Sequence, residues 1–306
     1  MVVRFLLAVA LLFPALAPAQ PSQEASHHAV LLAQVRGELG FLASEALRGR
    51  GSGSHDELVA ATYIASQFQG FGLDEAHVQR VTLASGGETY NAVAVLRGSD
   101  LASEAILLSA HLDHLGVQDG RFYPGADDDA SGTVAVMELA RTLAARKHRR
   151  RTVIFVSFGS EETGGQGNEY FMAHPPVPLS SIVANLEFEM IGRRDPAVAD
   201  NALWLTGWER SDLGPMLAKH GAKLVADPHP EQKFFARSDN IALARRGIVA
   251  QTVSSFGLGA HYHQPSDDAA HIDYEHLATA IDVMTAPIEW LAETDWKPSW
   301  NPGGKP

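Results

Sequence analysis

Residues 110–132 read AHLDHLGVQDGRFYPGADDDASG, and this stretch decides how the rest of the chain is interpreted. It begins with His-Leu-Asp directly after the apolar run AILLS, and it ends with three consecutive aspartates in a loop framed by Gly and Pro. An imidazole and a carboxylate cluster at the end of a buried strand offer ligands to a divalent metal. Adjacent carboxylates repel one another, so a folded chain tolerates them mainly where a cation or solvent offsets their charge.

Two other interpretations of the aspartates compete with a metal site. Aspartates before a helix can cap its first turn and interact favourably with its dipole. A calcium EF-hand loop is the second, because Asp127, Asp129, Ser131, Gly132 and Glu138 nearly reproduce its pattern. That motif needs an entering helix, and the preceding GVQDGRFYPG contains three Gly and one Pro, so we reject it. The metal site therefore depends on further ligands elsewhere in the chain.

The composition excludes several classes of protein. The formal net charge is −12 and the pI is about 5.6, which argues against a nucleic acid or an anionic membrane as partner. No cysteine occurs, so a thiol nucleophile, disulfides and a lipid-modified cysteine are excluded. The basic run at residues 146–151 follows a helix-like segment, and we interpret it as a solvated helix end.

Residues 1–19 have the pattern of a secretory signal peptide. Arg4 supplies a positive charge, residues 5–13 form a short apolar run, and Ala-Pro-Ala at residues 17–19 offers a cleavage site before Gln20. The apolar run is too short to cross a bilayer. We therefore expect an exported protein, periplasmic or secreted and without a membrane anchor, whose mature chain begins at Gln20.

Apolar strand-like runs alternate with helix-like segments over most of the chain. Several of these runs are apolar throughout, as expected for strands covered on both faces. The alternation predicts an α/β fold with a mostly parallel, mixed sheet between helix layers, whose ligands gather beyond the carboxyl ends of the strands. We expect one catalytic domain over residues 20–306, with a loose tail from about residue 297. The predicted strands span residues 91–97, 105–110, 152–158, 181–188, 204–206 and 247–254, and the predicted helices span residues 20–46, 56–70, 131–146, 166–173, 213–220, 239–246 and 274–293.

Four of the apolar strands run into side chains that can bind a metal. The strand AILLSA ends at His111, and TVIFVSF is followed by Glu161 and Glu162. SIVANLEF runs into Glu189, and GIVAQTVSS leads through a short loop to His263. Each pairing alone is weak, since charged residues commonly follow strands. Together they lie at the sheet edge where such folds place active sites, and they predict a metal centre.

These motifs resemble those of the secreted two-zinc aminopeptidases of leucyl-aminopeptidase type, whose relatives include glutamate carboxypeptidases and glutaminyl cyclases. The resemblance covers nearly all of the chain after residue 19, and the motifs are specific in their combination and order. It implies a zinc-exopeptidase-like α/β globule with a mixed sheet between helices. The motifs that carry the resemblance are GRGSGS, YNAVAVLRG, HLDHLG, PGADDDASG, FGSEETGGQGNEYF, NLEFEMIGR, RSDN and YHQPSDD.

The resemblance implies two zinc ions per chain. His111 and Glu189 would bind one zinc, and Glu162 and His263 would bind the other. Asp128, the middle aspartate of the run, would bridge both, and family members usually hold this aspartate in a cis peptide to the next residue. Three ligand carboxylates and a bridging hydroxide balance the charge of two zinc ions, so the buried site would be close to neutral.

The same resemblance implies further roles around the metals. Asp113 would orient His111 through its other ring nitrogen. Glu161 would be the general base for a water shared by the two metals. Arg237 and Tyr262 align with positions that contact substrate in some relatives, and Tyr262 can donate a hydrogen bond to the developing oxyanion.

Position 189 departs from the commoner pattern of the family, because Glu189 replaces an aspartate. The additional methylene changes the reach of the ligand. Glu187 lies on the same strand face by period-2 spacing and is a rival ligand. The Met-Ile-Gly that follows Glu189 favours Glu189.

The sequence therefore predicts an exported zinc aminopeptidase that releases N-terminal, apolar residues from peptides. A glutaminyl cyclase is one alternative, but such relatives work with one zinc and lack the first histidine of the pair, which is present here as His111. A non-catalytic binding module is disfavoured by the complete ligand set and by Glu161. Carboxypeptidase or dipeptidase activity on the same fold stays open.

Overall fold

The computed structural model describes residues 23–83, 86–146 and 148–306. The predicted signal peptide at residues 1–19 lies outside these residues. The helices are α1 (Gln23–Leu42), α2 (His55–Gly70), α3 (Gly132–Ala144), α4 (Gln166–Ala173), α5 (Leu213–Lys219), α6 (Asn240–Arg245) and α7 (Tyr274–Glu293). The strands are β1 (Asp74–Thr82), β2 (Glu88–Leu96), β3 (Leu101–His111), β4 (Gly116–Gln118), β5 (Arg121–Tyr123), β6 (Arg151–Phe158), β7 (Ile182–Phe188), β8 (Leu203–Leu205), β9 (Leu224–Ala226) and β10 (Val249–Ser254).

Eight strands form one mixed sheet in the order β1-β2-β6-β3-β7-β10-β8-β9, and β4 pairs with β5 in a separate hairpin. The four neighbouring strands β6, β3, β7 and β10 run parallel. The large sheet has seven strand pairings. Four of them are parallel, including that of β8 with β9, and three are antiparallel. The prediction of a mostly parallel, mixed sheet is confirmed.

Helices cover both faces of this sheet. On one face α1, α2 and α3 bury Leu39, Ile64 and Val134 in a core that α5 and α7 complete. On the other face α4 and α6 bury Phe171 and Leu243 against the sheet. Burial of one such side chain contributes about 1.5–3 kcal/mol, which explains why the central strands are apolar on both sides. Within the described parts of the chain, no helix combines the length and the apolar character needed to cross a bilayer.

The parallel strands bring the predicted functional segments to one edge of the sheet. The register pairs His111 at the end of β3 with Phe158 at the end of β6. It also pairs Val253 near the end of β10 with Phe188 at the end of β7. Because these carboxyl ends coincide, the segments that follow the four strands lie next to one another.

The carboxyl-terminal tail is bound to the rest of the protein, so the prediction of a loose tail from residue 297 is wrong. The N–H of Ser299 donates to Oδ1 of Asp212 at 2.7 Å. The indole N–H of Trp300 donates to the carbonyl oxygen of Gly247 at 3.1 Å. The Gly and Pro content of the tail prevents a helix or strand, but it does not prevent these contacts.

The basic run at residues 146–151 is only partly a solvated helix end. Arg146 is exposed and pairs with Glu289. Arg151 is completely buried, and its guanidinium donates to Glu104 at 2.9 Å and to the carbonyl of Leu291 at 2.7 Å. The interpretation fails at Arg151 because this residue already belongs to β6.

Candidate metal centre and active site

Asp127 and Asp129, the outer members of the aspartate run, are committed to hydrogen bonds within the protein. Asp127 Oδ1 accepts the backbone N–H of Gly192 at 2.7 Å, and its Oδ2 lies 3.1 Å from Nη1 of Arg193. Asp129 Oδ1 accepts the N–H of Gly132, the first residue of α3, at 3.0 Å. The capping interpretation therefore describes Asp129, and the middle carboxylate is left for another role.

Asp128 is the aspartate that faces the predicted histidine ligands. Its Oδ1 lies 3.2 Å from Nε2 of His111, and its Oδ2 lies 3.1 Å from Nε2 of His263. Asp128 is buried, and its peptide bond to Asp129 is cis, as the resemblance implies. A carboxylate that meets one imidazole with each oxygen has the arrangement of a ligand that bridges two metals.

The first candidate metal position lies among His111, Asp128 and Glu189. One ligand atom from each of these residues lies within 4.8 Å of the other two. Glu187 is not in this group, although it is completely buried and both its carboxylate oxygens lack a hydrogen-bond partner. Burial and the nearby carboxylate of Asp239 raise the pKa of Glu187 well above its ordinary value. Burial also raises the pKa of Glu189, but only to about 7. A protonated acid is a poor metal ligand, so the geometry and the smaller shift both favour Glu189.

The second candidate position lies among Asp128, Glu162 and His114, whose ligand atoms are also within 4.8 Å of one another. His263 reaches the same position, because its Nε2 lies 3.5 Å from Oε2 of Glu162. His114 was not predicted as a site residue. The signal was present in the sequence, since His114 follows His111 by three positions in the same segment.

The carboxylate of Asp113 supports the turn that carries both glutamates. Its Oδ1 accepts the N–H of Glu161 at 3.0 Å, and its Oδ2 lies 3.4 Å from the N–H of Glu162. The predicted contact with His111 is different in the structure. The Nδ1 of His111 is 3.1 Å from the backbone carbonyl of Asp113 but 3.8 Å from its carboxylate, which is too far for a hydrogen bond. The carbonyl, and not the side chain, is therefore placed to orient the ring.

The backbone is strained where the strands deliver their ligands. Ser160, Met190 and His263 have φ values of 65°, 52° and 53°, in the left-handed region that side chains with a Cβ rarely adopt. Ser160 precedes the two adjacent glutamates, and Met190 follows Glu189. Conformations of this kind cluster at functional sites, where the surrounding structure holds them in place.

The candidate ligands of the second position strongly perturb one another. Burial opposes the charged form of Glu162, but His114 and His263 lower its pKa to about 2. Burial likewise opposes a charge on His263, but Asp128 and Glu162 raise its pKa to about 10. The protein groups alone therefore favour ionised carboxylates next to a protonated His263. A divalent cation would displace that proton, so its affinity should fall as the pH falls.

Glu161 has the opposite environment from its neighbour. Burial, together with the carboxylates of Asp239, Glu189 and Asp113, raises its pKa to about 10, against the lowering effect of His111. Divalent cations beside it would lower this pKa again, because they would be the largest local charges. Adjacent glutamates with pKa values pushed in opposite directions are suited to different tasks.

A cavity next to the Glu189 side of the centre has aromatic walls. Trp204 stacks on Phe234 with ring centroids 5.4 Å apart, and Phe256 lies 5.3 Å from the ring of Tyr262. The cavity is lined by Glu189, Met190, Trp204, Thr206, Phe234, Arg237, Thr252, Ser254, Phe256 and Tyr262. The structure thus brings Tyr262 and Arg237 to the same cavity as one predicted metal ligand.

The Tyr262 side chain lines this cavity. Burial and the charges of Asp128 and Glu162 raise its pKa to about 12, so the phenol stays protonated at neutral pH. Its ring stacks on His263 at a centroid distance of 3.9 Å. Arg237 is exposed, and its Cζ lies 5.0 Å from the centroid of the Phe234 ring.

Arg50 holds together the two loops that carry His111 and Asp128. Its guanidinium is completely buried and donates to the carbonyls of Leu112 and Pro124 at 2.7 and 2.6 Å. It also donates to Leu42 at 2.7 Å and to Gly125 at 2.8 Å. Arg50 belongs to the GRGSGS motif, but the burial of an arginine has no signal in a single sequence.

Asp267, in the YHQPSDD motif, fixes the aspartate loop from the opposite side. It accepts the backbone N–H groups of Asp127 at 3.0 Å and Asp128 at 3.1 Å. It also pairs with Nη2 of Arg193 at 2.7 Å. Asp128 is therefore positioned by backbone contacts, and its side chain remains available.

The donor set fits zinc. Imidazole nitrogens and carboxylate oxygens are the ligands that zinc uses in catalytic sites. The Nε2 of His111 and the Oε1 of Glu162 are buried atoms without a hydrogen-bond partner, which is costly unless a cation completes them. The two groups of ligands share Asp128, so two neighbouring metals would be held by one bridge.

A mixed sheet whose central parallel strands carry this set of imidazoles and carboxylates at their carboxyl ends has the features of a metal-dependent hydrolase. The chain belongs to peptidase family M28, whose model matches residues 91–287. All the predicted metal ligands and Glu161 lie within the matched range.

The chain is also similar to individual proteins, in sequence or in fold. Aminopeptidase YwaD from Bacillus subtilis is 22% identical over 222 residues, which are 64% of this chain and 43% of the relative, so the chain spans less than half of that protein's length. The structure of the zinc aminopeptidase BSAP from Bacillus subtilis superposes with a TM-score of 0.71 at 16% identity, over 86% of this chain and 96% of that chain. Glutaminyl cyclase from Porphyromonas gingivalis superposes with a TM-score of 0.67 at 16% identity, over 85% of this chain and 98% of that chain. The fold expected from the sequence is confirmed by these superpositions.

Proposed function

We propose that the protein is a zinc aminopeptidase that hydrolyses the N-terminal peptide bond of peptides. The observation that carries the proposal is the pair of ligand groups that share Asp128. His111 and Glu189 would hold one zinc and Glu162 and His263 the other. Bound zinc polarises the scissile carbonyl and lowers the pKa of a bound water. The peptidase family to which the chain belongs, and the similarity of the chain to known aminopeptidases, support this activity.

Glu161 is the general base of the proposed reaction. Its backbone N–H donates to Asp113, its carboxyl is under the influence of the charges of His111 and Glu189, and it is in neither ligand group. The carboxylate accepts a proton from the attacking water and delivers it to the leaving amine. Tyr262 remains protonated and donates to the oxygen that becomes negative in the transition state.

In this proposal, the carboxylate of Glu189 recognises the free amino terminus. Glu189 lines the cavity and belongs to the first ligand group, so a carboxylate faces the substrate side of the metals. An α-ammonium group placed there fixes the first peptide bond over the reacting water. The aromatic walls formed by Trp204, Phe234 and Phe256 favour an apolar first side chain.

The proposal is tested with a panel of free and blocked substrates. Leucyl- and alanyl-anilides should be cleaved, and their N-acetylated forms should be cleaved far more slowly, because acetylation removes the positive charge. A chelator should abolish the activity, and zinc or cobalt should restore it. Cyclisation of N-terminal glutamine without cleavage of free-amine anilides would replace the proposal with a glutaminyl cyclase.

Arg237 supports dipeptidase or carboxypeptidase activity as a second candidate. It lines the cavity, and among the described residues no carboxylate lies within 4.0 Å of its guanidinium. A free guanidinium can bind the terminal carboxylate of a short peptide. Faster cleavage of N-blocked peptides with a free carboxyl end than of aminoacyl anilides would favour this candidate.

We also propose that the chain is exported through the signal peptide at residues 1–19. The support is the order of positive charge, apolar run and small-residue cleavage site in the sequence. Mass analysis of the mature protein from the culture fluid or periplasm should give Gln20 as its first residue. A mature protein that retains Met1 would contradict the proposal.

A further inference from the structure

His114 is a buried histidine next to the second ligand group that the proposed function does not use. Its side chain is 0% exposed, and neither ring nitrogen has a hydrogen-bond partner. The Nδ1 lies 2.8 Å from Oε1 of Glu162 and 3.9 Å from Oδ2 of Asp128. A buried imidazole with no partner is unfavourable unless another group completes it.

The contact between His114 and Glu162 is close, but it does not have the alignment of a hydrogen bond. Both atoms, Nδ1 of His114 and Oε1 of Glu162, are without a hydrogen-bond partner at 2.8 Å, so the N–H direction does not point at the oxygen. The Nε2 of His111 is in the same situation, 3.2 Å from Asp128 Oδ1 and without a hydrogen bond. Atoms that bind the same metal are arranged in this way, because each atom points at the ion and therefore lies close to the other ligand atoms without pointing at them.

The position of the His114 ring is fixed by the backbone around it. The backbone N–H of His114 donates to the carbonyl of Arg50 at 3.2 Å, and an isolated parallel β-bridge pairs His114 with Gly51. A Cβ at Gly125 would lie 2.5 Å from Cγ of the His114 ring, so only glycine leaves room for the ring there. These contacts hold the imidazole against the aspartate loop.

We propose that Nδ1 of His114 is a ligand of the metal that Glu162 and His263 hold. The inference rests on the two-metal site of the proposed function and makes that site asymmetric. The first position would have one imidazole and two carboxylates, and the second would have two imidazoles and two carboxylates. Three protein ligands leave an open position on a zinc ion, whereas four approach a closed site. The water and the scissile carbonyl would therefore meet mainly the metal at His111.

The alternative role for His114 is a hydrogen bond that orients Glu162 without contact to the metal. The His114→Asn variant separates the two roles, because an amide near the position of Nδ1 can still donate to Glu162 but binds zinc poorly. His276→Asn is the matched control, since His276 is also a buried histidine but its Nε2 contacts Ser255 away from the metal ligands.

The test counts the imidazoles bound to cobalt in the full protein. The protein is loaded with two cobalt ions, and the paramagnetically shifted ring N–H signals that disappear in D₂O are counted by proton NMR. We expect three such signals in the wild type and in His276→Asn, and two in His114→Asn. Zinc titration should show one site weakened by more than the 10–100-fold that loss of an outer hydrogen bond produces, with the other site unchanged.

Two outcomes overturn the inference. Two shifted signals in a wild-type protein that holds two cobalt ions would leave His114 outside the metal shell, and the proposed function would stand. A wild type that binds fewer than two metals would overturn both the inference and the two-metal site. The wild-type count decides the question even if His114→Asn does not fold.

Discussion

Arg50→Met tests whether the framework behind the metal centre is organised as described. Methionine fills much of the same space but removes the four hydrogen bonds from the buried guanidinium to the carbonyls of residues 42, 112, 124 and 125. The carbonyl of Gly125 keeps the N–H of Ala130 as a donor, so three of these carbonyls lose theirs. Each buried carbonyl left without a donor costs about 1–3 kcal/mol, or roughly 3–9 kcal/mol in total. Release of the guanidinium from burial and entry of water offset part of this. We expect a net loss of about 3–5 kcal/mol, as for other broken buried charge networks.

The loss should be visible in two assays. At roughly 2 °C per kcal/mol for a domain of this size, the melting temperature of the zinc-free protein should fall by about 6–10 °C. Zinc affinity should fall as well, because Leu112 follows His111 and Gly125 begins the loop that carries Asp128. The first effect reports on stability, and the second reports on the geometry of the ligands.

Arg151→Met is the control for these assays. Arg151 is also completely buried and bonded, but it lies beside Leu101 at the opposite end of β3 from His111. The Arg151→Met substitution should lower the melting temperature without weakening zinc binding. Unchanged stability of Arg50→Met, or equal loss of zinc affinity in both variants, would refute the reasoning.

Three further predictions concern the ligands and the base. Glu161→Gln should keep its zinc and lose about 10²–10⁴-fold in kcat, whereas Glu162→Gln should lose zinc; equal zinc loss in both would contradict the separate roles. Glu189→Ala should weaken one zinc site in a metal titration while Glu187→Ala leaves both filled, and the reverse result would move the ligand to Glu187. Chelator-treated protein should lose stability as the pH rises from about 6.5 to about 10. The pKa of His263 is raised from 6.5 to about 10 in the folded state, so over this range the folded protein keeps a proton on His263 and the unfolded chain releases it. Zinc displaces this proton, so melting curves of the zinc-saturated protein should depend less on pH over that range, and equal slopes would count against the ligand assignment of His263.

The central part of the fold is predictable because its signals are local. Apolar runs in β3, β6 and β7 mark buried parallel strands, and their ends give the order of the site segments. β1 is different, since its sequence DEAHVQRVT is largely polar and it lies mostly exposed at the edge of the sheet. β9 and the hairpin of β4 and β5 have strands of three residues each, too short for a periodic pattern.

The residues of the candidate site could be predicted where a sequence motif assigns a single role to a single residue. His111, Asp128, Glu162, Glu189 and His263 all lie where the sequence placed them, although their binding of zinc remains a prediction. Contacts that depend on packing between distant segments were not visible. The carboxylate of Asp113 binds the backbone of Glu161 and not the ring of His111. The backbone carbonyl of Asp113 is the group that lies near that ring.

The most direct test of the account is the number of zinc ions per chain, measured by plasma mass spectrometry after dialysis against buffered zinc. The shared position of Asp128 predicts two zinc ions in the wild type. It predicts one or none in Asp128→Ala, because the loss of the bridge weakens both sites. A wild-type protein that saturates with one zinc ion, or an Asp128→Ala variant that retains two, would contradict the account.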